Sequence, residues 1–209
     1  MKSFHPYFLP TLAQYYPQEA QEVISQMDQL YIDIYDPSLA SSSNPIDKRL
    51  SFSAYFLSMI QCLNEKGENY EQIRRVCLEV ATDFVQPKNT FQKLIQTWPS
   101  KLIHTWLGKR LIRNLQKVAE KPGHPDGFVM KILTDPAKTS GLGYGIDILE
   151  CGICNQFHRH GYDKFTSILC EVDYITTNLA GLEMIRQSSI ALGADRCDFR
   201  YKIKRRVKD

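Results

Sequence analysis

The chain has 209 residues, of which 43% are apolar and 23% charged, and its formal charge is +3. That is the composition of a globular protein able to bury a substantial core, and no apolar run is long enough to span a bilayer. The opening Met1-Lys2-Ser3-Phe4-His5-Pro6 turns to proline and aromatic residues before a signal-peptide core develops, so a cytoplasmic protein with no membrane partner is expected. The excess positive charge is carried largely by Lys202, Lys204, Arg205, Arg206 and Lys208, which read as a solvated end rather than a nucleic-acid contact.

From Pro17, Ala20, Val23, Ile24, Met27, Leu30, Tyr31 and Ile34 recur at three- and four-residue steps, the signature of one buried helical face. Asp36-Pro37 and the Ser41-Ser42-Ser43-Asn44-Pro45 cluster end that helix. A second helix is predicted over residues 47–66, with Leu50, Ala54, Leu57 and Ile60 inward and Gly67 as its stop. Asn69 and Gln72 then form a capping-box pattern ahead of the stripe Ile73, Val76, Cys77, Val80, Ala81 and Phe84. Cys77 belongs to that stripe and Cys62 has no polar partner nearby in sequence, so both are assigned to packing.

Pro87 and Pro99 bracket a short amphipathic segment with Phe91, Leu94, Ile95 and Trp98, and a further helix is predicted over residues 102–119. The period then changes. The breaker run from Lys121 to Gly127 precedes a strand predicted over residues 128–133, which divides the chain into a helical region, 1–120, and an α+β region, 121–209, packed as one unit. A glycine-rich stretch leads into a strand at 146–151 in which Ile146 and Ile148 share one face and Asp147, Leu149 and Cys151 the other. A helix over 163–179 follows, and then a hairpin of strands 182–190 and 196–203 turning through Gly193-Ala194-Asp195. The fold class expected from this order is α+β, an N-terminal helical half packed with a small antiparallel sheet and a helix. The amphipathic faces would suit a homodimer and equally a monomeric core.

Four of the six cysteines, Cys151, Cys154, Cys170 and Cys197, fall in the last part of the chain. In a reducing compartment they point to packing, metal binding or catalysis rather than disulfides. Cys170 and Asp173 are three apart on a predicted helix and so share a face. A carboxylate at the edge of a core is partly desolvated, which raises its pKa and suits it to move protons, although a surface aspartate beside a packed cysteine has the same spacing. Cys151 and Cys154, with His158 and His160, contain the ligand types of a zinc or iron site, but only one tight cysteine pair is present and no metal is assigned. The same pair lacks the preceding βαβ pattern of a thioredoxin-like motif. His158 or His160 could act as base to a cysteine nucleophile, or be exposed polar residues in the turn before the helix. Arg186, placed on a strand with Met184 and Ser188, is either the counter-ion of a buried acid or a clamp for a substrate carboxylate. No phosphate-binding loop, dinucleotide fingerprint or zinc-protease helix occurs.

Cys151, the spaced Cys170-Glu171-Val172-Asp173, Arg186 and the closing Gly193-Ala194-Asp195-Arg196-Cys197-Asp198-Phe199 together resemble the L-2-amino-thiazoline-4-carboxylic acid hydrolase family over residues 143–201. Where that family tends to carry Arg-x-x-Thr-Leu before the glycine, this chain reads Arg186-Gln187-Ser188-Ser189-Ile190. The resemblance implies hydrolysis of a small cyclic isothiourea bearing a carboxylate, opened to a carbamoyl-cysteine without a cofactor. It further implies catalytic roles for Asp173, which would activate water or protonate the leaving atom, and for Cys170 and Cys197, which would line the pocket, one of them as a nucleophile. Arg186, Cys151, Asp198 and Ser189 would be the substrate-binding residues. The closing element is also similar to small-molecule-binding domains related to 4-vinyl reductases, which implies the alternative of a non-catalytic ligand-binding or assembly protein.

Overall fold

The computed structural model describes residues 4–87, 89–90, 105–140 and 143–204. Seven α-helices and a four-stranded antiparallel sheet make it an α+β protein among these residues. Helices α1 (His5–Tyr15), α2 (Ala20–Ile34), α3 (Leu50–Glu65) and α4 (Tyr70–Val85) pack together, and α5 (Trp106–Ala119) follows. The remainder is β1 (Val129–Leu133), β2 (Gly145–Glu150), α6 (Gly152–Arg159), α7 (Thr166–Leu179), β3 (Leu182–Ile185) and β4 (Cys197–Ile203), with strand order β1-β2-β4-β3.

The predicted stripes are the buried ones. In α2, Ala20, Val23, Ile24, Met27, Tyr31 and Ile34 are buried, and in α4 the same holds for Ile73, Val76, Cys77, Val80 and Ala81. Phe84 of that stripe is half exposed and stacks on Phe52 with ring centroids 4.1 Å apart. The Asn69 side chain accepts from Gln72 N–H at 3.0 Å, which fixes where α4 begins. Gly67 ends α3 with φ +86°, a conformation that an L side chain rarely adopts. Cys62 and Cys77 are both buried in the helical core.

Helix α1 lies where no helix was predicted, and it contains two prolines. Pro6 stands in the first turn, where the helix needs no backbone donor. Pro10 deprives the helix of one hydrogen bond, and the full burial of Phe8 and Leu12 on either side of it offsets that loss. Phe91, Leu94, Ile95 and Trp98 of the segment predicted between Pro87 and Pro99 lie outside the described residues, as do the first residues predicted for α5, whose described start is capped by Thr105 accepting from Gly108 N–H at 3.1 Å.

Two corrections concern the last third. Residues 152–159 form α6 directly after β2, where a turn was expected; Gly152 closes against Asp126 O and Leu50, so the helix starts in tight contact with the chain before β1. The strand predicted over 182–190 stops at Ile185, so Arg186 and Ser188 stand in a connection and not on a strand. The cause is Asp198, whose Oδ1 accepts from Gln187 N–H at 2.9 Å, Ser188 N–H at 2.6 Å and Ser188 Oγ at 2.8 Å. With those amides engaged by a side chain, the ladder to β4 ends, and Gly193 at φ +88° turns the connection back.

The helical core reaches across the predicted boundary, because Phe157 of α6, Phe165 just before α7 and Ile168 of α7 are buried within it. A bidentate Arg74 to Glu171 pair ties α4 to α7. α5 lies on β1 and α7 on β3, which covers one face of the sheet. On the opposite face Arg200 and Asp147 are in ion-pair contact at 2.8 Å without hydrogen-bond alignment. No helix among the described residues is long and apolar enough to cross a membrane.

Candidate active site

Between the covered face of the sheet and α7 lies a cavity of about 400 Å3. Strand alternation delivers Ile146 and Ile148 from β2, and Cys197, Phe199 and Tyr201 from β4, onto this side. α7 contributes Leu169, Cys170 and Asp173, which its helical spacing sets on one face. Arg49, at the start of α3, and Arg186, just beyond β3, complete the polar part of an otherwise apolar wall.

Arg186 answers the choice left open by its sequence setting with a counter-ion contact. Its Nη1 donates to Asp173 Oδ2 at 3.3 Å and Nη2 to Cys170 O at 3.2 Å, while the guanidinium lies over the rings of Tyr174 and Phe199 at 5.0 and 5.3 Å. Its side chain is only 8% exposed, so the cation is held in place and largely desolvated.

The Asp173 side chain is 43% accessible, yet it lines a largely apolar cavity. Burial therefore dominates its titration, pushing the carboxyl up to about 6 against the opposing charges of Arg186 and Arg49. An acid with that value exchanges protons readily near neutral pH.

The thiols around the cavity differ. Burial and then the charge of Asp173 push Cys170 up to about 11, and burial also raises Cys197. Both are therefore neutral thiols at physiological pH. Ser189 is buried between them, with its Oγ 3.8 Å from Cys170 Sγ and 3.9 Å from Cys197 Sγ, while Ile190 N–H donates to Cys197 Sγ at 3.2 Å. Cys151 behaves oppositely: the adjacent Cys154 thiol, outweighing burial, holds it below the ordinary thiol range.

The structure thus brings Asp173, Cys170, Cys197, Arg186 and Cys151 to one cavity, with Ser189 behind the two neutral thiols. Asp198 is placed elsewhere. It organises the 186–196 connection from the other side of β4; partial burial opposes its ionisation, but the bonds from Ser188 and Gln187 hold its carboxyl below the usual range. His158 is exposed and bonds Asp163 at 2.7 Å, apart from the cavity wall.

Arg49 escaped the sequence reading. Among the described residues its side chain has no hydrogen bond or ion pair, and its charge acts on Asp173, Tyr144 and Tyr201. It reaches the cavity because Asp47 Oδ1 accepts from Phe128 N–H at 2.8 Å and Asn44 donates to Phe128 O at 2.9 Å, which fastens the start of α3 to the start of β1. The one available signal was local: Lys48 and Arg49 put positive charge at a helix N-terminus, against the macrodipole.

Among the described residues, Asp36, His124 and Asp126 have ligand atoms close enough to share a metal ion. Each already has a partner: His124 Nε2 lies 2.9 Å from Ser38 Oγ, its Nδ1 accepts from Asp126 N–H at 3.1 Å, and Asp126 pairs with Arg159. Cys151, Cys154, His158 and His160 do not gather in this way.

No curated protein and no solved structure matches the chain. A family model described as L-2-amino-thiazoline-4-carboxylic acid hydrolase matches residues 48–201. That span reaches well before the motifs that carried the resemblance and takes in Arg49 and all the cavity residues discussed above. With most of its length inside the match, the chain belongs to the L-2-amino-thiazoline-4-carboxylic acid hydrolase family.

Proposed function

We propose that the cavity hydrolyses a small, carboxylated, sulfur-containing cyclic amidine of the thiazoline type. The observation that carries this reading is the pairing of a desolvated, near-neutral acid with an excess of fixed positive charge: Asp173 stands against both Arg186 and Arg49 in an apolar enclosure. Such a site attracts a small anion with an apolar body, and a cavity of about 400 Å3 suits a single heterocycle. Arg186 is committed to Asp173, so the carboxylate of the substrate falls to Arg49, with Arg186 adding to the attractive field.

In this reading Asp173, ionised at neutral pH, takes a proton from water as the oxygen adds to the ring carbon between nitrogen and sulfur. The tetrahedral species then collapses with cleavage of the carbon–sulfur bond. The departing sulfur receives the proton held by Asp173, the proton of the added hydroxyl passes to the ring nitrogen, and the carbon retains both nitrogens as a carbamoyl group. One water is consumed and Asp173 returns to its starting state, consistent with a carboxyl whose pKa lies close to the working pH. Arg186 holds Asp173 in position through the sequence. Cys170 and Cys197, as neutral thiols, shape the wall and exclude water, and Ser189 supports them from behind.

The test is to compare 2-amino-thiazoline-4-carboxylate with the same ring lacking its carboxylate. Release of a free thiol from the first, with kcat/KM falling by roughly a factor of 100 for the second through loss of a charge-assisted contact, is expected. Equal turnover of both would remove the carboxylate-binding role, and binding of the carboxylated ring without turnover would replace the enzyme by a ligand-binding protein.

A further inference from the structure

The Cys151-Gly152-Ile153-Cys154 run contains chemistry that ring hydrolysis does not use. Cys151 is the N-cap of α6, with extended backbone (φ −109°, ψ 107°), and its carbonyl accepts the first helical bond from Asn155 N–H at 3.0 Å. Cys154 follows one turn later on the same side. The neighbouring Cys154 thiol, and after it the Cys154 and Ile153 amides, favour the thiolate at Cys151, although the sulfur closes no capping bond. Both cysteines are free thiols.

The pair is asymmetric in position as well as in charge. Cys151 lines the cavity, whereas Cys154 lies behind it and is not part of the wall. The neighbouring Cys151 sulfur, with burial next, raises Cys154 and keeps it protonated. Cys62 and Cys77 show how packed cysteines of this protein differ: each is raised by burial, and no neighbouring thiol acts on either sulfur. Cys151 is buried from the outer surface and reached through the cavity. A cavity-lining thiol with a second thiol one turn further along the helix is the arrangement by which a dithiol exchanges with a disulfide.

We propose that Cys151 and Cys154 form a thiol–disulfide exchange site for small-molecule disulfides that enter through the cavity, Cys151 attacking and Cys154 resolving. Cys151 thiolate attacks one sulfur of the disulfide, forming a mixed disulfide and expelling one thiolate, which takes up a proton. Cys154 then loses its proton and attacks Cys151 Sγ, forming the Cys151–Cys154 disulfide and expelling the second thiolate, which is protonated in turn. Two protein thiols are oxidised and one small disulfide is reduced to two thiols. The β2 strand that precedes α6 is antiparallel to its neighbours, so the helix start supplies the arrangement without the parallel-sheet setting that the sequence motif normally announces.

The test uses the reduced full-length protein and bis(2-hydroxyethyl) disulfide at neutral pH, followed by alkylation, intact mass and peptide mapping, none of which depends on hydrolysis. Loss of two hydrogen atoms, with the disulfide mapped to Cys151 and Cys154 and the other cysteines still alkylated, is expected. Cys154→Ser should stop at a mixed disulfide on Cys151. In the untreated folded wild type, limiting iodoacetamide should modify Cys151 at least about tenfold faster than Cys62 or Cys77, a comparison that needs no variant. Equal labelling rates, reaction first at Cys170, or a Cys154→Ser protein that accumulates no adduct would overturn the proposal.

Discussion

Replacing Asp173 by asparagine separates proton transfer from binding. Asparagine keeps an oxygen at the Oδ2 position, 3.3 Å from Arg186 Nη1, so the guanidinium retains an acceptor and its place over Tyr174 and Phe199. What disappears is the group that takes and returns a proton, for which the expected loss in kcat is about 10²- to 10⁴-fold, or roughly 3 to 5 kcal/mol in the barrier. Binding should move the other way or not at all, because Arg49 and Arg186 are then opposed by no anion of the cavity, and KM for a carboxylated substrate should not rise.

The pH profile supplies the second signature. With Asp173 at about 6, the ionised fraction falls as pH drops through that value, and wild-type kcat/KM should fall about tenfold from its plateau by about pH 5. The stability effect has the opposite sense. An aspartate raised from 3.8 favours the folded state fully below 3.8, and that contribution is lost as pH rises through about 6, so the asparagine variant should unfold at neutral pH no more easily than wild type. Steady-state kinetics by thiol release, with urea unfolding alongside, measures all three. An asparagine variant that keeps the wild-type rate and acid limb while folded would refute the role of Asp173.

Arg49→Gln should raise KM for the carboxylated ring by roughly 10- to 100-fold, leave kcat nearly unchanged and scarcely affect the ring without a carboxylate. Asp47→Ala removes the acceptor of buried Phe128 N–H and of Ser42 Oγ, so urea unfolding should show a loss of about 2 to 4 kcal/mol, with Arg49-dependent binding weakened as the start of α3 loosens. Gly152→Ala places a methyl 2.7 Å from Asp126 O and 2.8 Å from Leu50 Cδ1, and a loss of about 1 to 3 kcal/mol is expected because the backbone oxygen has to move.

How far each part could be read depends on whether its cause is local. The stripes of α2 and α4 and the Asn69 cap are set by helical period and by a side chain three residues away, and both were legible. The alternation of β4 put Cys197 and Phe199 on the cavity side for the same reason. Helix α1 was hidden because proline position within a helix, not proline content, decides its effect. The end of β3 was misread because Asp198, from the next strand, captures the amides that would have extended the ladder. Asp173 and Cys170 could be paired through their spacing, and Arg186 stood out as a counter-ion or clamp among uncharged neighbours. Arg49 could not be placed, since only the ties from Asn44 and Asp47 to Phe128 carry it to a cavity built mostly from residues about one hundred positions further along. The redox setting of Cys151 was likewise concealed by the unexpected helix that begins beside it.

The most direct measurement is mass spectrometry of 2-amino-thiazoline-4-carboxylate after incubation with the purified protein in heavy-oxygen water. The account predicts a ring-opened carbamoyl thiol that carries one heavy oxygen in its carbamoyl group, formed catalytically by wild type and not by Asp173→Asn. Unchanged substrate, or a product formed equally well by the variant, would contradict it.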